Sequence, residues 1–254
     1  MSGDCKDQPN VFYTKEAPIL LADCLLSEGK VKSLYRIADQ PERVYIHFHD
    51  KVTAGNGRKV DFPEDKGKVC CLISALLFEK LEEYGIKTHY LGTQGFNTML
   101  CKKVEIIPIE VVVRNIAAGS IVRQTTLKEG RIISYPLVEF YLKDDEKDDP
   151  LLTEDRIKLM GYGKEIAALQ HHAREINAIL RGVFRKIGLT LVDFKLEFGY
   201  DSEQNLLLAD ELSPDGMRLW KEGTKESFDK DLFRKGKGDI VEAYTHILEK
   251  LKNE

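Results

Sequence analysis

The segment Leu191-Val-Asp-Phe-Lys-Leu-Glu-Phe198 sets three ionisable residues, Asp193, Lys195 and Glu197, at alternate positions between Val192, Phe194, Leu196 and Phe198. Successive side chains of a β-strand point to opposite faces, so the apolar set is expected to face a core and the charged set a polar surface. After the turn residues Tyr200 to Asn205 comes Leu206-Leu-Leu-Ala-Asp-Glu-Leu212. A short hairpin loop centred near Glu203 and Gln204 would set Asp210 opposite Glu197, with Cβ atoms roughly 5 Å apart. Two carboxylates so placed repel unless a cation lies between them, and hard oxygen ligands in ones and twos suit Mg²⁺ that is also held by phosphates. That is the arrangement of an ATP site, with Lys195 placed to pair with a carboxylate or a phosphate oxygen. A surface ion-pair ladder is the bland alternative for the same residues.

A second constellation is Arg114-Asn-Ile-Ala-Ala-Gly-Ser120, a strand-like run ending in an arginine and followed by small residues and a hydroxyl. Small residues let backbone N–H groups approach an anion, and a guanidinium offers phosphate or carboxylate a two-pronged contact. The alternative is a turn around a satisfied structural arginine. Ser213-Pro-Asp-Gly-Met-Arg218 delivers another arginine just after Asp210. Near the N-terminus, Glu28-Gly-Lys-Val-Lys-Ser33 puts two lysines after a glycine but matches neither G-x-x-x-x-G-K-[ST] nor G-x-G-x-x-G, so a solvated basic edge fits it as well. His47 and His49 share a strand face without a third ligand nearby, and His171 and His172 point two ways from a helix, so neither pair reads as a metal site. The loop Arg234-Lys-Gly-Lys-Gly238 reads as solvated.

These residues need a scaffold of short strands and a few helices. Val31 to Ile37 and Arg43 to Asp50 read as a hairpin around Pro41, followed by a loop with Gly55, Asn56 and Gly57. Val69, Leu72, Ile73, Leu76, Leu77 and Leu81 recur at helical spacing until Gly85. Thr88 to Leu91, Asn97 to Val104 and Ile109 to Arg114 read as strands, so the first 115 or so residues are expected to form an antiparallel sheet carrying a helix. Ile166 to Phe184 carries a second helical stripe, stopped by Gly188 before the strand Thr190 to Phe198. Lys225 to Phe233 and Asp239 to Leu251 are expected to be closing helices. The whole is an α+β chain of two lobes with a cleft between them.

With 42 acidic against 38 basic residues, a net charge of -4 gives no global attraction to nucleic acid, so anion binding must be local. Five cysteines, an odd number without C-x-x-C spacing, suggest neither a disulfide framework nor zinc and fit a reducing cytoplasm. No apolar run approaches 18 residues, so neither a membrane span nor a signal peptide is expected. Residues 1–17 are polar, and the N-terminal 20 or so residues are expected to be mobile or loosely docked.

The segments Glu28 to Lys32, Arg114 to Ser120, Leu191 to Gly199 and Asp210 to Trp220 together resemble the SAICAR synthetase family, in order and with compatible spacing from about Leu26 to Leu251. The resemblance implies a kinase-like or ATP-grasp-like antiparallel sheet lobe that binds ATP, over 21–115, packed on a larger α+β lobe for substrate and metal, over 116–254, with 1–20 as an extension. It implies that ATP, L-aspartate and carboxyaminoimidazole ribonucleotide (CAIR) are converted to SAICAR, ADP and phosphate through an acyl phosphate, with Mg²⁺ assisting. A homodimer is left open. Carried over by position, Lys30, Lys32 and Lys195 face the ATP phosphates, Lys102 to Ile106 is the hinge that meets adenine, and Glu197 and Asp210 hold the metal. Lys195, Glu197 and Asp210 form the catalytic set. Asp50, Gly55 and Asn56 resemble the loop beside the imidazole, and Arg114, Ser120 and Arg218 hold the ribonucleotide phosphate or the aspartate carboxylates. This chain departs from many members in having Arg123-Gln124 for Lys-Arg and Asp148-Asp149-Pro150 for His-Asp-Pro. A protein kinase would use the same lysine and carboxylates, but H-R-D and D-F-G are both missing from the chain; a non-catalytic nucleotide-binding module would be favoured by loss of Lys195, Glu197 or Asp210, and all three are present.

Overall fold

The computed structural model describes residues 24–55 and 57–254; the expected extension over 1–20 and the loop residue Asn56 lie outside them. The chain opens with β1 (Leu25–Glu28), β2 (Lys32–Arg36) and β3 (Arg43–Phe48), then a small hairpin of β4 (Val52–Ala54) and β5 (Lys59–Asp61). Helix α1 (Lys66–Glu83) follows, then β6 (Tyr90–Gln94) and β7 (Thr98–Lys102). The first sheet is antiparallel in the order β1-β2-β3-β7-β6, and β2 pairs with β3 from Lys32 against Phe48 to Arg36 against Val44, as the hairpin over 31–50 requires.

Helix α1 is buried on more than one side: of the expected stripe Val69, Ile73, Leu77 and Leu81 are buried and Leu72 and Leu76 half-buried, and Cys70, Cys71 and Phe78 are buried as well. It packs against the first sheet and against the last helix of the chain. Its first turn is satisfied by Asp50, whose carboxylate accepts from Gly67 N at 2.8 Å and Asp65 N at 3.2 Å. A Cβ on Gly67 would lie 2.6 Å from the Phe48 carbonyl oxygen, so only glycine allows helix and strand to approach so closely here.

The next strand, β8 (Glu105–Ile116), corrects the expectation that the first 115 residues form one sheet. Both edges of β7 are already taken by β3 and β6, so its successor cannot pair with it. It pairs instead with β9 (Ile132–Leu142), which follows the short helix α2 (Ser120–Gln124). The remaining elements are β10 (Leu151–Leu152), α3 (Glu154–Leu159), α4 (Ile166–Lys186), β11 (Leu189–Tyr200), β12 (Leu206–Ala209), β13 (Met217–Lys221), α5 (Asp231–Lys235) and α6 (Ile240–Lys252). The second sheet runs β10-β9-β8-β11-β12, with β13 also on β11. In sheet terms the division between the two halves falls at Lys103 and Val104, ahead of β8. One hydrophobic core, from Val44 and Phe48 through Phe78 to Phe194 and Ile247, joins the two sheets.

The expected helix over 225–233 shrinks to α5, because Ser227 bridges Trp220 and Phe228 N donates to Leu219 O at 2.8 Å, which holds that stretch extended. Helix α6 starts where expected, its N-terminus capped by Asp239, which accepts from Val241 N at 2.7 Å.

Candidate active site

Strand β11 positions the site. One edge lies along β8, while the other is shared: β13 covers Leu189 to Phe194 and β12 covers Glu197 to Tyr200. Between the two the chain swings away through Asp210 to Gly216, and a cleft of about 630 Å³ opens there. The β1–β2 turn brings in Lys30, the start of β2 Lys32, the β4–β5 turn Gly55 and Gly57, and β11 Lys195 and Glu197. Asp210 completes the set, so six expected site residues, Lys30, Lys32, Gly55, Lys195, Glu197 and Asp210, meet around one cavity.

The register differs from the expected one. Asp201 accepts from Glu203 N and Asn205 N, and Gln204 takes φ 62°, which makes a five-residue loop. Ala209 therefore lies across from Glu197, and Asp210 leaves the ladder with φ 67°. The carboxylate opposite Glu197 belongs to Glu110 on β8, and Lys195 bridges the two, 2.6 Å from Glu110 and 2.7 Å from Glu197. Lys143 also pairs with Glu197, which is only 2% exposed. Lys32 holds Asp210 at 2.6 Å and Glu211 at 2.8 Å. Lys30 pairs with Asp145 at 2.6 Å.

Burial opposes the charges of Asp210, Lys32 and Lys195, and attraction to their partners outweighs it, whereas for Glu110 burial prevails over Lys195 and raises its pKa. Asp210 is held below the ordinary carboxylate range: burial works against its charge, but Lys32, Lys195 and Lys143 prevail. Lys32 is held above the ordinary lysine value against its own burial by Asp210, Glu211 and Glu197. Lys195 follows the same pattern through Glu197, Glu110 and Asp210. At neutral pH the cleft therefore presents fixed charges of both signs.

Arg114, which is buried, forms a separate constellation with the half-buried Ser120 and Arg218 outside that cavity's lining. The Arg114 guanidinium donates to Glu139 at 2.5 Å, Asp193 at 3.2 Å, the Ala118 carbonyl at 3.3 Å, Ser120 Oγ at 2.8 Å and Tyr141 OH at 3.2 Å. Five contacts match its five donors. Arg218 donates to both oxygens of Asp193, at 3.0 and 2.9 Å, so one carboxylate ties the two arginines together. Its Nε is buried, with the nearest carboxylate oxygen, on Asp231, at 3.5 Å and no hydrogen bond made. Gly119, at φ 66°, backs onto this guanidinium: a Cβ there would sit 2.5 Å from Nη2.

The other expected residues are placed elsewhere. Asp50 caps α1 and does not line the cavity. Lys102 and Ile106 flank the connection between the sheets; Lys102 lies 3.7 Å from Asp201 and Ile106 pairs with Gly199. A bulge at Leu191 to Asp193 breaks the expected alternation, so Leu191 joins the main core and Val192 packs with Ala118 and Trp220. His47 bonds Thr98 and His49 bonds Ser33. Glu110, Lys143, Glu211 and Arg234 line the cavity without having been singled out as site residues. Glu110 could have been found from a β8–β11 register, but the sequence does not show which strands are neighbours. Asp193, which joins the arginines, sits in plain alternation with Lys195 and Glu197.

Among the described residues no three His, Cys, Asp or Glu side chains gather as a metal-holding group. Glu197 and Asp210 nevertheless fit Mg²⁺ in its usual protein setting, where one or two carboxylates share the ion with phosphate oxygens and water. Their present partners are ammonium groups, Lys143 and Lys195 for Glu197 and Lys32 for Asp210.

Two antiparallel sheets sharing one core, with a cleft that sets lysines against buried carboxylates, make an α+β protein with a charged, anion-sized site. The SAICAR synthetase family model matches residues 25–251. The phosphoribosylaminoimidazole-succinocarboxamide synthase of Methanocaldococcus jannaschii is 48% identical over 228 residues, 89% of this chain and 93% of that one. A solved structure titled SAICAR synthetase (Type-2) in complex with ADP superposes with a TM-score of 0.86 at 42% identity, covering 90% of this chain and 97% of that one. The synthase of Ehrlichia chaffeensis gives 0.87 at 39% identity, covering 90% and 98%. The chain belongs to the SAICAR synthetase family, and it is a carbon–nitrogen ligase of purine biosynthesis.

Proposed function

We propose that the cleft joins CAIR to L-aspartate at the expense of ATP, yielding SAICAR, ADP and phosphate, with an acyl phosphate between the two half-reactions. The observation that carries this reading is the network of Lys32, Lys143 and Lys195 around Glu197 and Asp210. The solved SAICAR synthetase in complex with ADP supports a nucleotide in the same fold. The Lys102–Ile106 connection, which carries the chain from the first sheet into the second without lining the cavity, is assigned to adenine by the family likeness.

A carboxylate oxygen of CAIR attacks the γ-phosphorus and the bond to the ADP oxygen breaks. The aspartate amine then attacks the acyl carbon, phosphate leaves and the amine gives up a proton. Lys32 and Lys195, with Lys143, are placed to hold phosphate oxygens and to stabilise charge on the transferring group. Glu197 and Asp210 would hold Mg²⁺, which when bound supplies further neutralisation of the phosphates. Arg218, the more exposed of the two guanidinium groups, anchors the ribonucleotide phosphate or an aspartate carboxylate, while Arg114 holds Asp193 and Ser120 around it. Cys24, Cys70, Cys71 and Cys101 are free thiols, which supports a cytoplasmic setting. No described helix is long and apolar enough to cross a membrane. The acyl phosphate is tested with CAIR labelled with oxygen-18 in its carboxylate: one label should appear in the phosphate released, and unlabelled phosphate would exclude it.

A further inference from the structure

Asp210 departs from its strand with a positive φ, a conformation that a non-glycine residue keeps only when its surroundings hold it. Two side chains from the other half of the molecule do so. The imidazole Nε2 of His89 lies 3.1 Å from the Asp210 carbonyl oxygen, and since that oxygen can only accept, Nε2 carries the hydrogen. Two residues on, Leu212 N donates to Ser74 Oγ of α1 at 3.0 Å. His89 is 2% exposed, its ring edge-on to Phe78 at 5.4 Å, so the hydrogen bond is its compensation for burial. Its backbone is tied on both sides, with N donating to Leu208 O at 2.9 Å and O accepting from Lys102 N at 2.7 Å. One residue thus touches the strand leading to Asp210, the Asp210 peptide itself and the start of the inter-sheet connection.

We propose that His89 is a positioning residue for the reaction: its hydrogen bond to the Asp210 carbonyl, seconded by Ser74, aims the Asp210 carboxylate into the cleft and couples that aim to the connection at Lys102. The proposal rests on Asp210 as a metal-holding carboxylate. A purely structural histidine at this place would be replaced by any side chain of similar bulk at equal expense in kcat. A positioning histidine would be replaced only by one that keeps the donor.

The test compares His89→Leu, which removes the donor, with His89→Gln, which keeps a side-chain N–H. Small displacements of a catalytic group cost rate steeply, so His89→Leu should lower kcat roughly 10-fold or more with KM for CAIR and aspartate within about twofold. Binding of Mn²⁺ in the presence of ADP, read by electron paramagnetic resonance, should weaken in parallel. His89→Gln should recover most of both, even if the two variants melt at the same temperature. Equal losses in the two variants, or unchanged kcat and Mn²⁺ binding in His89→Leu, would overturn the proposal. Asp210→Asn separates the two levels: if it keeps Mn²⁺ binding and turnover, the reading of Asp210 falls and this proposal with it. If it loses both while His89→Leu matches the parent enzyme, only the role of His89 is overturned.

Discussion

Lys195 does at the residue scale what the sequence alone assigned to a metal: it sits between two carboxylates, Glu110 and Glu197, that face each other across strands. Lys30, Lys32, Lys143 and Lys195 are thus each paired with a carboxylate before any ligand enters, and a phosphate must exchange with carboxylates for them. Removing one carboxylate charge should therefore spoil both the ion site and the placement of the lysines. Asp210→Asn and Glu197→Gln should each cut kcat at least about 100-fold at saturating Mg²⁺, the order of loss for one principal electrostatic contact to a transition state, with far-UV circular dichroism unchanged. For the arginines the structure separates two roles. Arg218→Lys should raise KM for CAIR or aspartate about 10-fold with KM for ATP little changed, since a point charge loses the planar contact. Arg114→Lys should also lower Tm, because all five of its contacts are internal. Asp231 gives a pH signature: burial works to raise its pKa, but Arg218, Arg234 and Lys235 outweigh this and hold it at about 2 against an ordinary 3.8. Its stabilising share is present above about pH 3.8 and is lost as pH falls through about 2, because the unfolded chain takes up the proton first. Asp231→Asn should flatten the fall in Tm over that interval.

Strand β11 is the element on which sequence legibility turns. Its alternation was readable because burial on one face and charge on the other need only a period of two, and Lys195 and Glu197 follow from it directly. The partner of Glu197 was not readable, because an Asp201-built loop of five residues, with Gln204 left-handed, moves the register by one. The bulge at Leu191 to Asp193 was equally hidden, since it answers to β13 and not to any local pattern. Asp50 shows the opposite case, a residue that the family likeness placed beside substrate and the structure places at a helix cap. Asp50→Ala should lower stability by about 1 kcal/mol, the usual cost of a lost N-terminal cap, leaving KM for CAIR unchanged. Gly199 is the tightest point between β11 and the inter-sheet connection, where a Cβ would lie 2.7 Å from the Glu105 carbonyl oxygen. Gly199→Ala should push back the start of β8, cost roughly 1–3 kcal/mol of stability and raise KM for ATP more than for aspartate.

For the whole molecule, the helices and most strands were visible from apolar spacing, whereas the assignment of β8 to the second sheet was not. That choice is made by competition for strand edges, which no segment carries within itself. Its consequence is functional: with β8 in the second sheet, Glu110 reaches Lys195, and the connection at Lys103 and Val104 becomes the passage between halves that share one core. The cleft between them is expected to spend ATP only when both acceptor and amine are present. Steady-state ADP release by the purified enzyme, measured with CAIR and L-aspartate each omitted in turn, tests that claim most directly. Release should require both and match SAICAR one for one; ADP release that continues undiminished when either is left out would contradict the account.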